Sequence, residues 1–350
     1  MSETRMYWVG IDVSEAVFDA AVASPGQRVN AATLKQLPTA TFDRTPEGVQ
    51  QLMGWLRKHV PAESPLPVRA VMEATGVYSI ELTALLCKVC PEMLPAIANP
   101  ERTSAYRKSL GLRNKTDRID ARALALFGLE RQPDAYEPLS PIQAELRSLA
   151  RCRDSLIETQ KAHENQLDQR PPSPLVRQTL KRVIATTGAA VEKIEQDMKR
   201  VIRSDENLQH NYDLLTTIPG VGFVTASVVL AEFGDLRRFG CARQIGAHAG
   251  VTTSYEESGE KRRPGHMSKK GNAYVRKTLY MSAISASIWN PHMRKTYHRM
   301  TAAGKKPMVA LGALMRKLLV LMRALIVSGK PFDRRRKPCG KIPQHAQKTT

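Results

Sequence analysis

The sequence predicts an α/β domain followed by mainly helical regions, and three features carry that expectation. Short apolar segments rich in β-branched residues alternate with helical spacing up to about Phe127. Beyond Pro141 aromatic and β-branched residues thin out, and long stretches take helical periodicity instead. Between Gly250 and Arg276 a glycine- and lysine-rich segment interrupts those helices.

The first region reads element by element. Met6 to Val13 is a short apolar run that predicts a buried strand carrying one acid, Asp12. Val17 to Val22 predicts a second strand, and after Ser24-Pro25-Gly26 a third is expected around Thr39 to Phe42, giving a three-strand meander. Thr45 is an N-cap candidate with Pro46 at the first helical position, and Val49, Leu52, Met53 and Leu56 recur at helical spacing toward Val60. Val68 to Gly76 predicts a fourth strand with Glu73 at its C-terminal end. A helix over Tyr78 to Val89 and a strand over Leu94 to Ala98 lead into a basic stretch with Arg102, Arg107, Lys108, Arg113 and Lys115. A strongly helical segment then runs from Thr116 to Phe127.

That order, βββαβαβα, is the layout of an RNase H-like, RuvC-like domain, and it places four acids suggestively. Asp12 lies on a strand and Glu73 at a strand end, while Asp117 and Asp120, three residues apart, share one helix face. Each acid alone is more often a cap or a solvated side chain; the ordered set of four predicts a cluster. Hard cations take oxygen ligands, so an all-carboxylate site suits Mg2+ or Mn2+ acting on phosphates. Two such ions about 4 Å apart can stabilise both the attacking and the leaving oxygen of an in-line displacement.

Composition narrows the partner. The 350 residues carry a formal net charge of +20, which favours a polyanion, and 42% hydrophobic residues supply cores for two or three domains. Nucleic acid is the expected partner. No signal peptide is evident, and even the apolar helix over Leu311 to Val327 carries Arg316, Lys317 and Arg323, so no membrane partner is expected and a cytoplasmic protein is. Cys87 and Cys90 form a lone C-x-x-C in an apolar helical segment, which reads as core packing with reduced thiols.

Further along, Ala144 to Gln169 and Leu175 to Val201 predict two long helices broken by Pro171-Pro172-Ser173-Pro174, suited to a coiled hairpin that dimerises or spans nucleic acid. Ile218-Pro-Gly220-Val-Gly222 between two helices resembles a helix-hairpin-helix element, whose glycines let helix N-terminal amides approach a phosphate. The segment from Gly250 to Arg276 has loop composition and dense positive charge, and is expected to lie exposed against phosphates. Ser258, followed by glycine and then by Lys261, Arg262 and Arg263, could attack a phosphate that those cations hold. From spacing alone Ser254, Ser268 or Tyr255 would serve as well.

Gly10-Ile-Asp12-Val-Ser, Met72-Glu73-Ala-Thr-Gly76, Lys115-Thr-Asp117-Arg-Ile-Asp120-Ala, Ile218-Pro-Gly-Val-Gly222, and Ser258-Gly with Ser268-Lys-Lys-Gly271-Asn272 and Arg276 occur in order. Together they resemble the insertion-sequence transposases of the "IS one-ten" family. The resemblance implies a RuvC-like domain with a DEDD tetrad, a coiled linker and a C-terminal transposase domain with a catalytic serine. On this chain it implies Asp12, Glu73, Asp117 and Asp120 as metal ligands and Ser258 as the nucleophile of a transient phosphoserine link. It further implies a structured non-coding bridge RNA that pairs with donor and target DNA.

The expected domains are 1–141 (RuvC-like), 142–205 (coiled-coil linker), 206–330 (transposase domain) and 331–350 (a basic, disordered tail). Expected nucleic-acid contacts are Lys115, Arg118, Gly220, Gly222, Lys261, Arg262, Arg263, Lys269, Lys270, Asn272 and Arg276. Strand exchange needs several active sites, so a homo-oligomer, a dimer of dimers, is expected. Two alternatives use fewer of these features. A RuvC-like junction resolvase would use water as nucleophile, and a non-catalytic nucleic-acid-binding protein would need no metal.

Overall fold

The first strand, β1 (Tyr7–Val13), is central to a five-stranded sheet built with β2 (Val17–Ala23), β3 (Thr39–Asp43), β4 (Val68–Glu73) and β5 (Pro95–Ala98), in the order β3-β2-β1-β4-β5. β1 to β3 form an antiparallel meander, and β4 and β5 run parallel to β1. This mixed α/β layout is the one expected of an RNase H-like domain. The computed structural model describes residues 6–61, 68–74, 76–112, 116–136, 139–169, 173–254, 257–258, 261–262 and 265–335.

Strand alternation gives the sheet two apolar faces. Val9, Ile11, Phe18, Ala20, Val22, Ala70 and Met72 pack against Val49, Leu52 and Leu56 of α2 (Pro46–Leu56) and Leu82 and Leu86 of α3 (Val77–Val89). On the other side Trp8, Ala21, Val71 and Ala96 meet α5 (Asp117–Arg131), with Tyr106 of α4 (Pro100–Ser109) and Leu34 of α1 (Ala31–Gln36) completing that layer. The contact between α5 and β1 is unusually close. A Cβ on Gly10 would lie 2.1 Å from Ala121 O and Ala125 N, so only glycine lets the helix backbone rest on the strand there. Thr116 caps α5, its hydroxyl accepting from Ile119 N at 3.3 Å, which starts the helix where its acids begin.

Two helices in this unit were not expected from the sequence. α1 is only 6 residues, too short for periodicity to register. α4 occupies the stretch read as merely basic: only Thr103 and Tyr106 are buried, and its start signal, Asn99 capping with Pro100 at the first position, was obscured by charge.

The chain divides into two compact units, Met1–Pro138 and Leu139–Thr350. The second opens with two long helices packed along each other, α6 (Pro141–Asp168) and α7 (Pro174–Arg203). α8 (Glu206–Thr216), α9 (Phe223–Phe233), α10 (Ala242–Ala249), α11 (Ala273–Trp289), α12 (Pro291–Ala302) and α13 (Pro307–Ser328) follow. Their core gathers Val229, Leu230 and Phe233 of α9 with Leu279 and Ala283 of α11 and Leu314, Leu318 and Met322 of α13. The segment read as loop contains two strand pairs, β6 (Thr253–Ser254) with β9 (His266–Met267), and β7 (Glu257–Ser258) with β8 (Lys261–Arg262). Such two-residue ladders leave no alternating pattern to read. Arg276, grouped with that segment, belongs to α11. Cys87, Cys90, Cys152 and Cys241 are free thiols. Among the described residues no helix is long and apolar enough to cross a membrane. The tail beyond Arg335 lies outside the described residues.

Replacing Gly10 by Ala should therefore cost about 1–3 kcal/mol, since the clash is with backbone and cannot be relieved by a rotamer change. Gly54→Ala, in α2 with nothing within 4 Å of the new Cβ, should instead stabilise by about 0.5–1 kcal/mol. Thermal unfolding of both variants checks the pair; equal melting temperatures would show that the close approach does not matter.

Candidate catalytic centre and nucleic-acid interface

Alternation along β1 puts Trp8, Gly10 and Asp12 on the face that meets α5, and along β4 puts Val71 and Glu73 on the same face. The parallel register pairs Gly10 with Val71 and Ile11 with Met72, so one residue further Asp12 stands beside Glu73 at the C-terminal ends of both strands. α5 runs the opposite way across them. Its Gly128 lies over Trp8 and its Ala121 over Gly10, so its first turn, with Asp117 and Asp120, reaches the end of the strand that carries Asp12. Four acids far apart in sequence thus come to one end of one sheet face.

Their present partners differ. Asp120 Oδ1 accepts from Arg107 Nη1 at 2.6 Å, with the carboxylate 13% exposed. Asp117 is exposed at the first position of α5. Arg118, between them, extends toward Asp19 with Nε 3.8 Å from Oδ1. Among the described residues no three His, Cys, Asp or Glu side chains stand close enough together to hold a metal ion. The donor chemistry of the four acids, all carboxylate, nevertheless fits a hard divalent cation.

In the second unit Ser258 is the cross-strand partner of Lys261 in the β7–β8 pair, and Arg262 is the partner of Glu257. Lys115, Tyr255 and Arg263 lie outside the described residues. Ser254 pairs with His266, and Ser268 works as a turn residue, its hydroxyl accepting from Lys270 N at 3.2 Å. Lys269 takes a left-handed conformation, φ 55°, and it and Lys270 are exposed. Asn272 and Arg276 have work inside the fold. Asn272 Oδ1 caps α11 by accepting from Val275 N at 3.1 Å, and Arg276 Nη1 donates to Gly271 O at 3.3 Å.

The two glycines of the Ile218 to Gly222 turn face different surroundings. Gly220, with φ 97°, packs so tightly on α11 that a Cβ would lie 2.7 Å from Ala286. Gly222, at the N-terminus of α9, has nothing within 4 Å of that position, so its side of the turn is open to a ligand.

Sequence reasoning missed Glu232. Its carboxylate is 1% exposed, yet it receives Arg151 Nε at 2.7 Å and Nη2 at 3.0 Å, and Asn272 Nδ2 at 2.7 Å. Arg147 Nε stands 3.1 Å away as a further charge, without a hydrogen bond. One residue thereby ties α6, α9 and the base of the Ser258 segment together. The signal was present: a single acid in the apolar run Val228-Val-Leu-Ala-Glu-Phe233 must be buried, and a buried charge needs partners. Burial pushes this carboxyl up, but the Arg151 and Asn272 hydrogen bonds and the Arg147 charge outweigh it and leave its pKa below the ordinary 4.5. Neighbouring His248 is held low by burial and by Arg238 and Arg147.

Two family models match the chain in sequence order. Residues 9–170 match the DEDD transposase model of the IS110 type, and residues 212–298 match the Transposase IS116/IS110/IS902 family. Over 342 residues the chain is 29% identical to the pilin gene-inverting protein of Moraxella bovis, covering 96% of this chain and 99% of that one. It is 27% identical over 244 residues to the transposase for insertion sequence element IS1111A of Coxiella burnetii, covering 61% and 64%. A protein of insertion element IS110 from Streptomyces coelicolor is 32% identical over 122 residues, covering 35% of this chain and 30% of that one.

A sheet domain with a strand-and-helix set of acids, joined to a basic helical unit, defines an enzyme of the DNA transposase and recombinase class. Within that class, the chain belongs to the IS110 family of insertion-sequence transposases. DEDD domains of this kind generally work with divalent metal ions.

Glu232 makes the second unit sensitive to acid. A carboxyl whose folded pKa is lowered stabilises fully above its unfolded value, here 4.5, and loses that contribution as pH falls through the folded one. Urea unfolding followed by circular dichroism should show Glu232→Gln with a flatter loss of stability below pH 4.5 than the parent chain. Glu232→Ala should lose about 3–5 kcal/mol at neutral pH, because it strands two arginines. Parallel pH profiles for parent and Gln variant would refute this.

Proposed function

We propose that this transposase joins donor and target DNA under the guidance of a structured bridge RNA, with a phosphoserine intermediate on Ser258. The observation that carries the reading is the convergence of Asp12, Glu73, Asp117 and Asp120 on one end of the α5 face of the sheet. A bound Mg2+ or Mn2+ would supply charge that polarises the scissile phosphate and stabilises the oxygens exchanged there. Asp12 and Glu73, on two adjacent parallel strands, are its rigid ligands, and Asp117 and Asp120 complete the set from the helix.

Ser258 Oγ attacks phosphorus, the sugar oxygen of the cut strand leaves with the proton, and the phosphoester keeps the bond energy until a second sugar hydroxyl reverses the step. Lys261, Arg262 and Arg263 neutralise the phosphate during attack. Lys115, Arg118, Lys269, Lys270 and Arg276 contact backbone phosphates, while Gly222 and Gly220 present the amides at the start of α9. Asn272 shapes the basic turn. The net charge of +20 and only 5% aromatic residues suit a protein that holds nucleic acid by its backbone while base pairing to RNA reads sequence.

Full-length relatives are named for inverting a pilin gene and for transposing an insertion element, both rearrangements of DNA between defined ends. Such exchange cuts several strands, so we assign a homo-oligomer, a dimer of dimers, acting in the cytoplasm at the nucleoid. The helical pair α6 and α7 serves as a coiled linker, and the α8–α9 turn as a helix-hairpin-helix phosphate site.

A labelled donor DNA incubated with the chain, its copurified RNA and Mg2+ should yield a protein-linked strand on a denaturing gel. Ser258→Ala should lose that adduct while still binding the RNA, and Asp12→Asn should lose strand transfer. Cleavage with no adduct from the parent chain would identify water as the nucleophile and leave a resolvase.

A further inference from the structure

A fifth carboxylate stands on the same sheet face and takes no part in the resemblance. Asp19 lies in the middle of β2 among apolar residues, 8% exposed, and the antiparallel register makes it the direct cross-strand partner of Asp12. Its neighbours Phe18 and Ala20 point to the opposite face, into the α2–α3 core, so Asp19 shares the α5 side with Asp12 and Glu73. Two contacts fix it. Thr41 Oγ1, on β3, donates to Oδ1 at 2.6 Å, and Arg118 Nε in the first turn of α5 stands 3.8 Å from the same oxygen.

For the fold alone this is an unfavourable choice. Like charges directly opposite each other on paired strands repel, with Cβ atoms about 4.5–5.5 Å apart. Burying a charge costs more unless it is well paired. Arg118 offers little compensation: its side chain is 69% exposed, and such surface pairs contribute at most about 1 kcal/mol. A Val or Thr at this strand position would pack without penalty. A repulsive, buried acid pair is consistent with a place where positive charge is to be gathered, and Asp19 is locked by Thr41 in the orientation that keeps its charge beside Asp12.

We infer that Asp19 is a positioning residue of the cation pocket: it adds negative charge beside Asp12 and, through Arg118, ties the first turn of α5 to the sheet. This rests on the reading of Asp12, Glu73, Asp117 and Asp120 as ligands. Carboxylates that support metal ligands from behind typically govern affinity by about 10–100-fold, without contacting the reacting phosphate.

The test is Mn2+ binding to the full-length chain, followed by the electron paramagnetic resonance signal of free Mn2+, beside thermal unfolding without metal. Asp19→Asn keeps the acceptor for Thr41 and removes the charge. It should weaken Mn2+ binding on the order of tenfold, leave the melting temperature equal or higher because the repulsion is gone, and shift the Mn2+ midpoint of strand transfer while the rate at saturation is retained. Thr41→Val, an exposed β-branched swap that frees the Asp19 carboxylate, should weaken binding in the same direction by less. Asp12→Asn, the control, should abolish specific binding. Unchanged affinity in both Asp19→Asn and Thr41→Val, with binding lost in Asp12→Asn, overturns the role of Asp19 and leaves the pocket standing. Parental affinity in Asp12→Asn overturns the pocket and this inference with it.

Discussion

The first unit depends on one close contact, the backbone of α5 resting on β1 at Gly10. Helices usually stand off a sheet by the thickness of their side chains; here one strand position has no side chain, and Ala121 and Ala125 on the facing helix are small. The closeness determines the site. It carries the first turn of α5, and with it Asp117 and Asp120, to the end of the strands where Asp12 and Glu73 emerge. The sheet supplies acids whose spacing is set by strand register, the helix supplies acids whose placement is set by packing, and Gly10 joins the two systems.

The second unit is organised around a buried charge. Glu232 would be costly on the apolar helix α9 without partners, and Arg151 and Asn272 supply hydrogen bonds to it from two different elements, with Arg147 adding charge. Because Asn272 also caps α11 and hydrogen-bonds through its amide to His248 O, the end of the basic segment is fixed while its β7–β8 portion extends from that anchor. A rigid base beneath a basic segment is a sensible way to hold a nucleophile in place for a phosphate.

Much of this was legible in the sequence, for identifiable reasons. β1, β2 and β4 announced themselves because strands buried on both faces read as continuous apolar runs, and α5 because Thr116 is a good cap before a long apolar face. Asp12 and Glu73 were visible as acids that such runs should not contain. Asp19 sits in an equally apolar run and carried the same signal, but strand register, which makes it the partner of Asp12, is not written in local sequence. α4 was hidden because it buries almost nothing apolar, and the Glu232 network because its partners come from positions about 40 and 80 residues away. Asn272 and Arg276 show the converse: a basic and polar motif whose side chains hold the turn itself.

The claim that everything else serves is that the end of the β1–β4–α5 face binds a divalent cation. Crystals of the full-length chain soaked in Mn2+ and measured at the manganese absorption edge test it directly. The account predicts an anomalous peak bounded by the carboxylates of Asp12, Glu73 and the first turn of α5; a peak elsewhere, or an empty map at that position under saturating Mn2+, would contradict it.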